Sequence, residues 1–81
     1  MTDVVVKRSV MIAGHRTSVS LEAPFWDALR EIAMIKGASV ASLIVEIDSH
    51  RSDSNLSSAI RLFVLAHYRE ATSTITGKRQ V

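Results

Sequence analysis

The stretch Arg16-Thr17-Ser18-Val19-Ser20-Leu21 alternates at period two and runs directly into Pro24 and a helical pattern. Side chains alternate across a strand, so Arg16, Ser18 and Ser20 share a polar face while Thr17, Val19 and Leu21 face a core. A ribbon this short, with open edges and one polar face, is not stable alone. It therefore calls for a partner strand and for a use of its polar face. A second copy of the chain is the expected partner.

The residues after the ribbon set the rest of the architecture. Proline fits the first turn of a helix, where its missing N–H is no loss, so Pro24 marks a helix start. Phe25, Leu29, Ile32, Ala33 and Lys36 recur at helical spacing, with Trp26 broadening the apolar face. The spacing predicts a helix over 23–36, stopped by Gly37 in a left-handed conformation. Ser39 is an N-cap for a second helix over 40–48, whose Val40, Leu43, Ile44 and Ile47 line one face. The polar run 48–55 reads as a loop, with Ser54 or Asn55 capping a third helix over 56–71. Leu56, Ala59, Ile60, Phe63, Val64 and His67 form its stripe, and Leu62, Leu65 and Ala66 leave little of it polar. A helix apolar around most of its girth is buried on more than one side, and a partner subunit is the expected second wall.

Ahead of the ribbon, residues 1–14 read as a basic N-terminal arm whose first six residues fray. Val10 and Ile12 permit a short strand over 8–13, with Ala13-Gly14 as a turn. Residues 72–81 read as a flexible tail. The chain has 81 residues, 47% of them hydrophobic, which is one domain with more apolar surface than so small a body easily hides. Oligomerisation buries such an excess. There is no Cys, hence no disulfide and no thiolate chemistry. No apolar run is long enough to span a membrane, and no signal-peptide pattern opens the sequence, so a cytoplasmic location is expected.

Charge is mild overall, at +2, but uneven. No acid lies between Asp3 and Glu22, where Lys7, Arg8 and Arg16 accumulate beside His15. This asymmetry suits a polyanion, although a solvated arm has the same composition. His15, His50 and His67 match no metal-ligand spacing. Asp48, His50 and Asp53 are turn residues by type. No nucleophile has a base at recognisable spacing and no phosphate loop is present, so neither enzymatic activity nor a cofactor is expected.

The residues from Arg16 to Leu21, the helix from Phe25 to Ala33, Gly37-Ala38-Ser39 and Leu43-Ile44 together resemble the ribbon-helix-helix superfamily of Arc- and MetJ-like proteins. The wider stretch from Lys7 to Tyr68 is similar to an uncharacterised bacterial branch of that group. The resemblance implies a mostly α fold with a short β-ribbon: an intertwined homodimer whose two-stranded antiparallel sheet forms between subunits, plus a third helix beyond the minimal pattern. It implies double-stranded DNA as the partner and transcriptional regulation as the role, with the ribbon in the major groove. By the same resemblance Arg16, Ser18 and Ser20 contact bases, and Val19, Leu21, Leu29, Leu43, Ile44, Ile47, Ile60 and Phe63 form the dimer core. Ser39 at the second helix start is placed to meet a phosphate, and Lys7 and Arg8 to reach flanking phosphates. Arg pairs bidentately with guanine, but Ser discriminates poorly, so an Arg-Ser-Ser ribbon predicts limited sequence selectivity. Oligomers on tandem sites would add to it. The competing expectation is a protein-interaction module that keeps the dimeric fold with a weak or vestigial DNA face.

Overall fold

Ala13 and Gly14 both take left-handed backbone conformations, with φ of 52° and 81°. Two successive residues of positive φ are what a type I′ turn requires, and this turn matches the twist of the strands it joins. It closes a hairpin between β1 (Val5–Ile12) and β2 (His15–Glu22). The computed structural model describes residues 4–51 and 55–76 of the chain. Within them the hairpin is the whole sheet, antiparallel, with Ile12 opposite His15, Val10 opposite Thr17 and Arg8 opposite Val19.

The ribbon's partner strand therefore lies in its own chain. This corrects two expectations. Val5 and Val6 do not fray but pair with Glu22 and Leu21. Within the predicted arm β1 spans Val5–Ile12, starting earlier than the segment 8–13 that periodicity permits; residues 1–3 lie outside the described residues. β2 thus has one edge paired within its own chain, and the pairing between subunits that the resemblance implies concerns its other edge.

Three helices follow among the described residues: α1 (Ala23–Lys36), α2 (Val40–His50) and α3 (Leu56–Thr76). The α1 start has no side-chain cap, but the Ala23 N–H donates to the Val4 carbonyl at 2.9 Å, extending the ladder into the helix. Pro24 has no N–H to satisfy. At its other end Gly37, at φ 68°, donates to Met34 O while Ala38 N–H reaches Ala33 O, the paired bonds of a Schellman stop. Ser39 Oγ accepts from Ser42 N–H at 3.0 Å and caps α2. Of the two candidate caps for α3, Asn55 fills the role, its Oδ1 accepting from Ser58 N–H at 2.8 Å. The second and third helices run further than predicted: residues 49–50 belong to α2 and residues 72–76, assigned to the tail, belong to α3. The rest of the predicted tail, 77–81, and residues 52–54 of the predicted loop lie outside the described residues.

One face of the hairpin rests on the helices. Val19 and Leu21 from β2 join Leu29 and Ile32 from α1, Leu43, Ile44 and Ile47 from α2, and Ile60 and Val64 from α3 in one buried cluster. Seven of the eight residues expected in a dimer core are thus buried inside a single chain, and Phe63 packs against them half-buried. Trp26 is 3% exposed, and its indole N–H donates to the Val6 carbonyl at 2.9 Å, tying β1 to α1.

Candidate nucleic-acid interface

The hairpin's register decides which side chains look outward. Since Val4 and Ala23 are joined by a ladder bond, alternation along an antiparallel pair makes Val6–Leu21, Arg8–Val19, Val10–Thr17 and Ile12–His15 the hydrogen-bonded pairs. Lys7–Ser20, Ser9–Ser18 and Met11–Arg16 are the non-bonded pairs between them, and their side chains stand on the face opposite the core. Arg16, Ser18, Lys7, Ser9 and Met11 are exposed and Ser20 is half-buried.

The residues predicted to contact bases therefore share one solvent face, and the structure adds Lys7, Ser9 and Met11 to it. Sequence reasoning missed Ser9 and Met11 because β1 was not assigned its full length. The signal was present: continuing the Val10, Ile12 alternation back through Arg8 and Val6 puts Met11, Ser9 and Lys7 on the other side.

Lys7 and Arg8, paired in expectation, point to opposite faces. Lys7 stands with Arg16. Arg8 stands on the core side, its guanidinium 5.6 Å from the Trp26 ring centroid. A cation held over the electron-rich face of an indole is attracted to it, which gives Arg8 a packing role on the hairpin's flank.

The helix side supplies the electrostatics of the ribbon's far end. Ser57 donates to the Ser20 carbonyl at 2.9 Å. One turn on along α3, Arg61 donates to both carboxylate oxygens of Glu22, at 3.0 and 3.3 Å, while lying 5.9 Å from the Phe25 ring centroid. Glu22 is the acid of the described hairpin, and Arg61 holds its carboxyl below the ordinary carboxylate range, chiefly through these hydrogen bonds. The outward face thus carries two cations, and its acid is already neutralised by a neighbour. The sheet has two strands among the described residues, so beyond the Ser57 bond at Ser20 the outer backbone edge of β2 is unpaired by any strand.

Ser39 sits apart from the ribbon, at the exposed start of α2. Its hydroxyl is committed to the Ser42 N–H, and its carbonyl receives the Leu43 N–H. The earlier N–H groups of the helix have no partner inside it, which is the usual anion-receptive state of a helix start. Metal-ligating residues do not assemble: among the described residues no group of three or more His, Cys, Asp or Glu could hold an ion. No helix among them is long and apolar enough to cross a membrane. Between α2 and α3 a groove of about 490 Å³ is lined by Glu46, Ile47, His50, Arg51, Ala59, Leu62 and Phe63.

Comparison with known proteins places this geometry. A family model described as a ribbon-helix-helix domain matches residues 5–68, from the first residue of β1 to the middle of α3. A solved structure, that of an uncharacterised protein from Bordetella pertussis Tohama I, is 32% identical and superposes with a TM-score of 0.76. The match covers 88% of this chain and 61% of that one, so the chain spans under two thirds of its structural relative. No curated protein sequence matches the chain.

Proposed function

Since the chain belongs to the ribbon-helix-helix family, we propose that it binds double-stranded DNA as a cytoplasmic transcriptional regulator, a binding role with no catalysis, presenting the outer face of its hairpin to the major groove. The observation that carries this reading is that face: Lys7 and Arg16 on adjacent strands, serines between them, and the nearby Glu22 paired to Arg61. A two-stranded ribbon is of a size to enter a major groove about 12 Å wide. Arg16, with its planar fork of donors, is the residue on it best fitted to a bidentate pair with guanine. Ser18 and Ser20 contact bases with little preference. Lys7 contacts phosphate from the same face, the start of α2 at Ser39 a second phosphate, and Arg8 at most one on the flank.

The partner of the protein, in this proposal, is a second copy as well as DNA. Met34, Ile35, Val45, Leu62 and Leu65 are exposed large apolar residues on all three helices, more than a single small domain usually leaves to water. Pairing of two copies along the open edge of β2 would give four strands. Three inter-strand spacings of about 4.8 Å make such a sheet wider than the groove. Groove entry therefore uses the hairpin of one chain, and the second copy docks on the helices.

The protein-interaction reading is favoured by one feature, the apolar floor of the α2–α3 groove. A single experiment separates the two. The folded protein is titrated against labelled duplexes of random sequence at several salt concentrations, and tight binders are selected and sequenced. Binding should weaken with salt, with a slope of about 0.9 in log K for each phosphate neutralised. Arg16→Ala should lose about 1–3 kcal/mol of discrimination on the selected duplex, roughly 5- to 150-fold. Absence of any duplex binding at low salt would sink the DNA reading in favour of the interaction module.

A further inference from the structure

Met11 is 54% exposed at the turn end of a largely polar strand face. Its register partner is Arg16, and in a non-bonded antiparallel pair the two Cα atoms lie about 4.5 Å apart with their side chains close together. The remaining positions of the described outer face along the two strands are lysine or serine, apart from Val5 and Glu22 at the helix end. An apolar group thus sits beside the guanidinium best fitted to read guanine.

We propose that Met11 is a specificity-determining residue that reads the 5-methyl group of a thymine next to the guanine contacted by Arg16. The proposal rests on the DNA-binding reading above and deepens it. Base pairs along one strand are about 3.4 Å apart, so two side chains separated by one inter-strand spacing reach neighbouring steps. The thymine methyl is the one apolar group on the floor of the major groove, and side chains recognise it by apolar contact. The thioether is unbranched and adaptable, and it covers a methyl without demanding one geometry. This supplies selectivity that the serines of the ribbon lack, and it comes from β1, the strand that folds back beside the reading strand.

The test uses duplexes selected by the wild-type protein from a randomised pool. Each thymidine is replaced in turn by deoxyuridine, which removes only the methyl. The wild-type protein should lose about fourfold in affinity at one position adjacent to the guanine on which Arg16→Ala loses its discrimination; that factor corresponds to one buried methyl-sized group. Met11→Ala should bind the parent duplex about fourfold more weakly and be indifferent to the same replacement, while Met11→Leu keeps the penalty. Because Met11 is exposed, Met11→Ala should unfold at the wild-type temperature. If the wild-type protein ignores every deoxyuridine, or Met11→Ala retains the penalty, the role of Met11 is refuted while DNA binding stands. Failure of the wild-type protein to bind any duplex refutes both.

Discussion

The turn at Ala13-Gly14 determines everything that faces outward, and it can be tested without DNA. Ala13 sits at φ 52° and Gly14 at φ 81°. A left-handed conformation costs an L-residue such as alanine roughly 1–2 kcal/mol. Asparagine tolerates that region, and Asn-Gly is the preferred pair for a type I′ turn. Ala13 is exposed, so changing it sacrifices no packing. Ala13→Asn should therefore stabilise the protein by about 0.5–1 kcal/mol, part of the alanine strain. Ala13→Gly relieves the same strain, but the freer unfolded chain takes back about 0.4–1 kcal/mol, leaving little net change. Gly14→Ala works in the opposite direction. No atom lies within 4 Å of the added Cβ, so its cost is backbone strain of about 1–2 kcal/mol less the roughly 0.4–1 kcal/mol returned by the stiffer unfolded chain, a net loss of about 0.5–1 kcal/mol. In a domain of this size 1 kcal/mol moves the melting temperature by about 4–8 °C. Thermal unfolding followed by circular dichroism at one fixed protein concentration resolves both shifts. A fall for Ala13→Asn, or no change for Gly14→Ala, would mean that the turn is not a two-residue loop. A one-residue slip would move every side chain of one strand to the other face, and the interface built from Lys7, Met11 and Arg16 would go with it.

The packing gives two further expected outcomes. Ile60 is fully buried where α3 meets the hairpin and the other helices, so Ile60→Ala should cost about 2–5 kcal/mol in chemical denaturation; a loss below about 1 kcal/mol would mean that α3 is not part of the core. The Glu22 carboxyl is held below its ordinary value by Arg61, so its folded form binds a proton less readily than its unfolded form. Its stabilising contribution is present above the ordinary carboxylate range and is lost as pH falls through the lowered folded value. Arg61→Met should flatten that acid limb of the stability profile, and an unchanged limb would show that the pair contributes nothing.

The helical part of this fold was legible because its signals are local. Pro24, Gly37, Ser39 and Asn55 each act within a turn of where they stand, and the predicted α1 matches the observed one residue for residue. The ends of α2 and α3 were misplaced because Ser49, His50 and Thr72 are polar, and polarity does not stop a helix whose other faces are packed. The first strand was truncated for a different reason. Lys7, Arg8 and Ser9 interrupt its apolar alternation, so only Val10 and Ile12 announced it. The register sets Arg8 on the core side, where its guanidinium lies over the Trp26 ring, a contact between residues 18 positions apart that no periodicity contains. The outward register of Arg16, Ser18 and Ser20 was readable from β2 alone. The other half of the face was not, since it depends on the turn that fixes which residue of β1 stands opposite each residue of β2.

A ribbon closed within one chain changes the order of events in the life of the molecule. Where two subunits must each lend a strand, neither folds until the other arrives, and stability is inseparable from concentration. Here the sheet is made by residues 5–22, joined by the shortest kind of hairpin loop, and contacts so near in sequence form quickly because little chain entropy is lost in closing them. The inner face of the hairpin is covered by helices of the same chain, so its two strands need no second copy in order to pair. Under the docking proposed above, exchange between copies would require undocking of surfaces, not unfolding of strands.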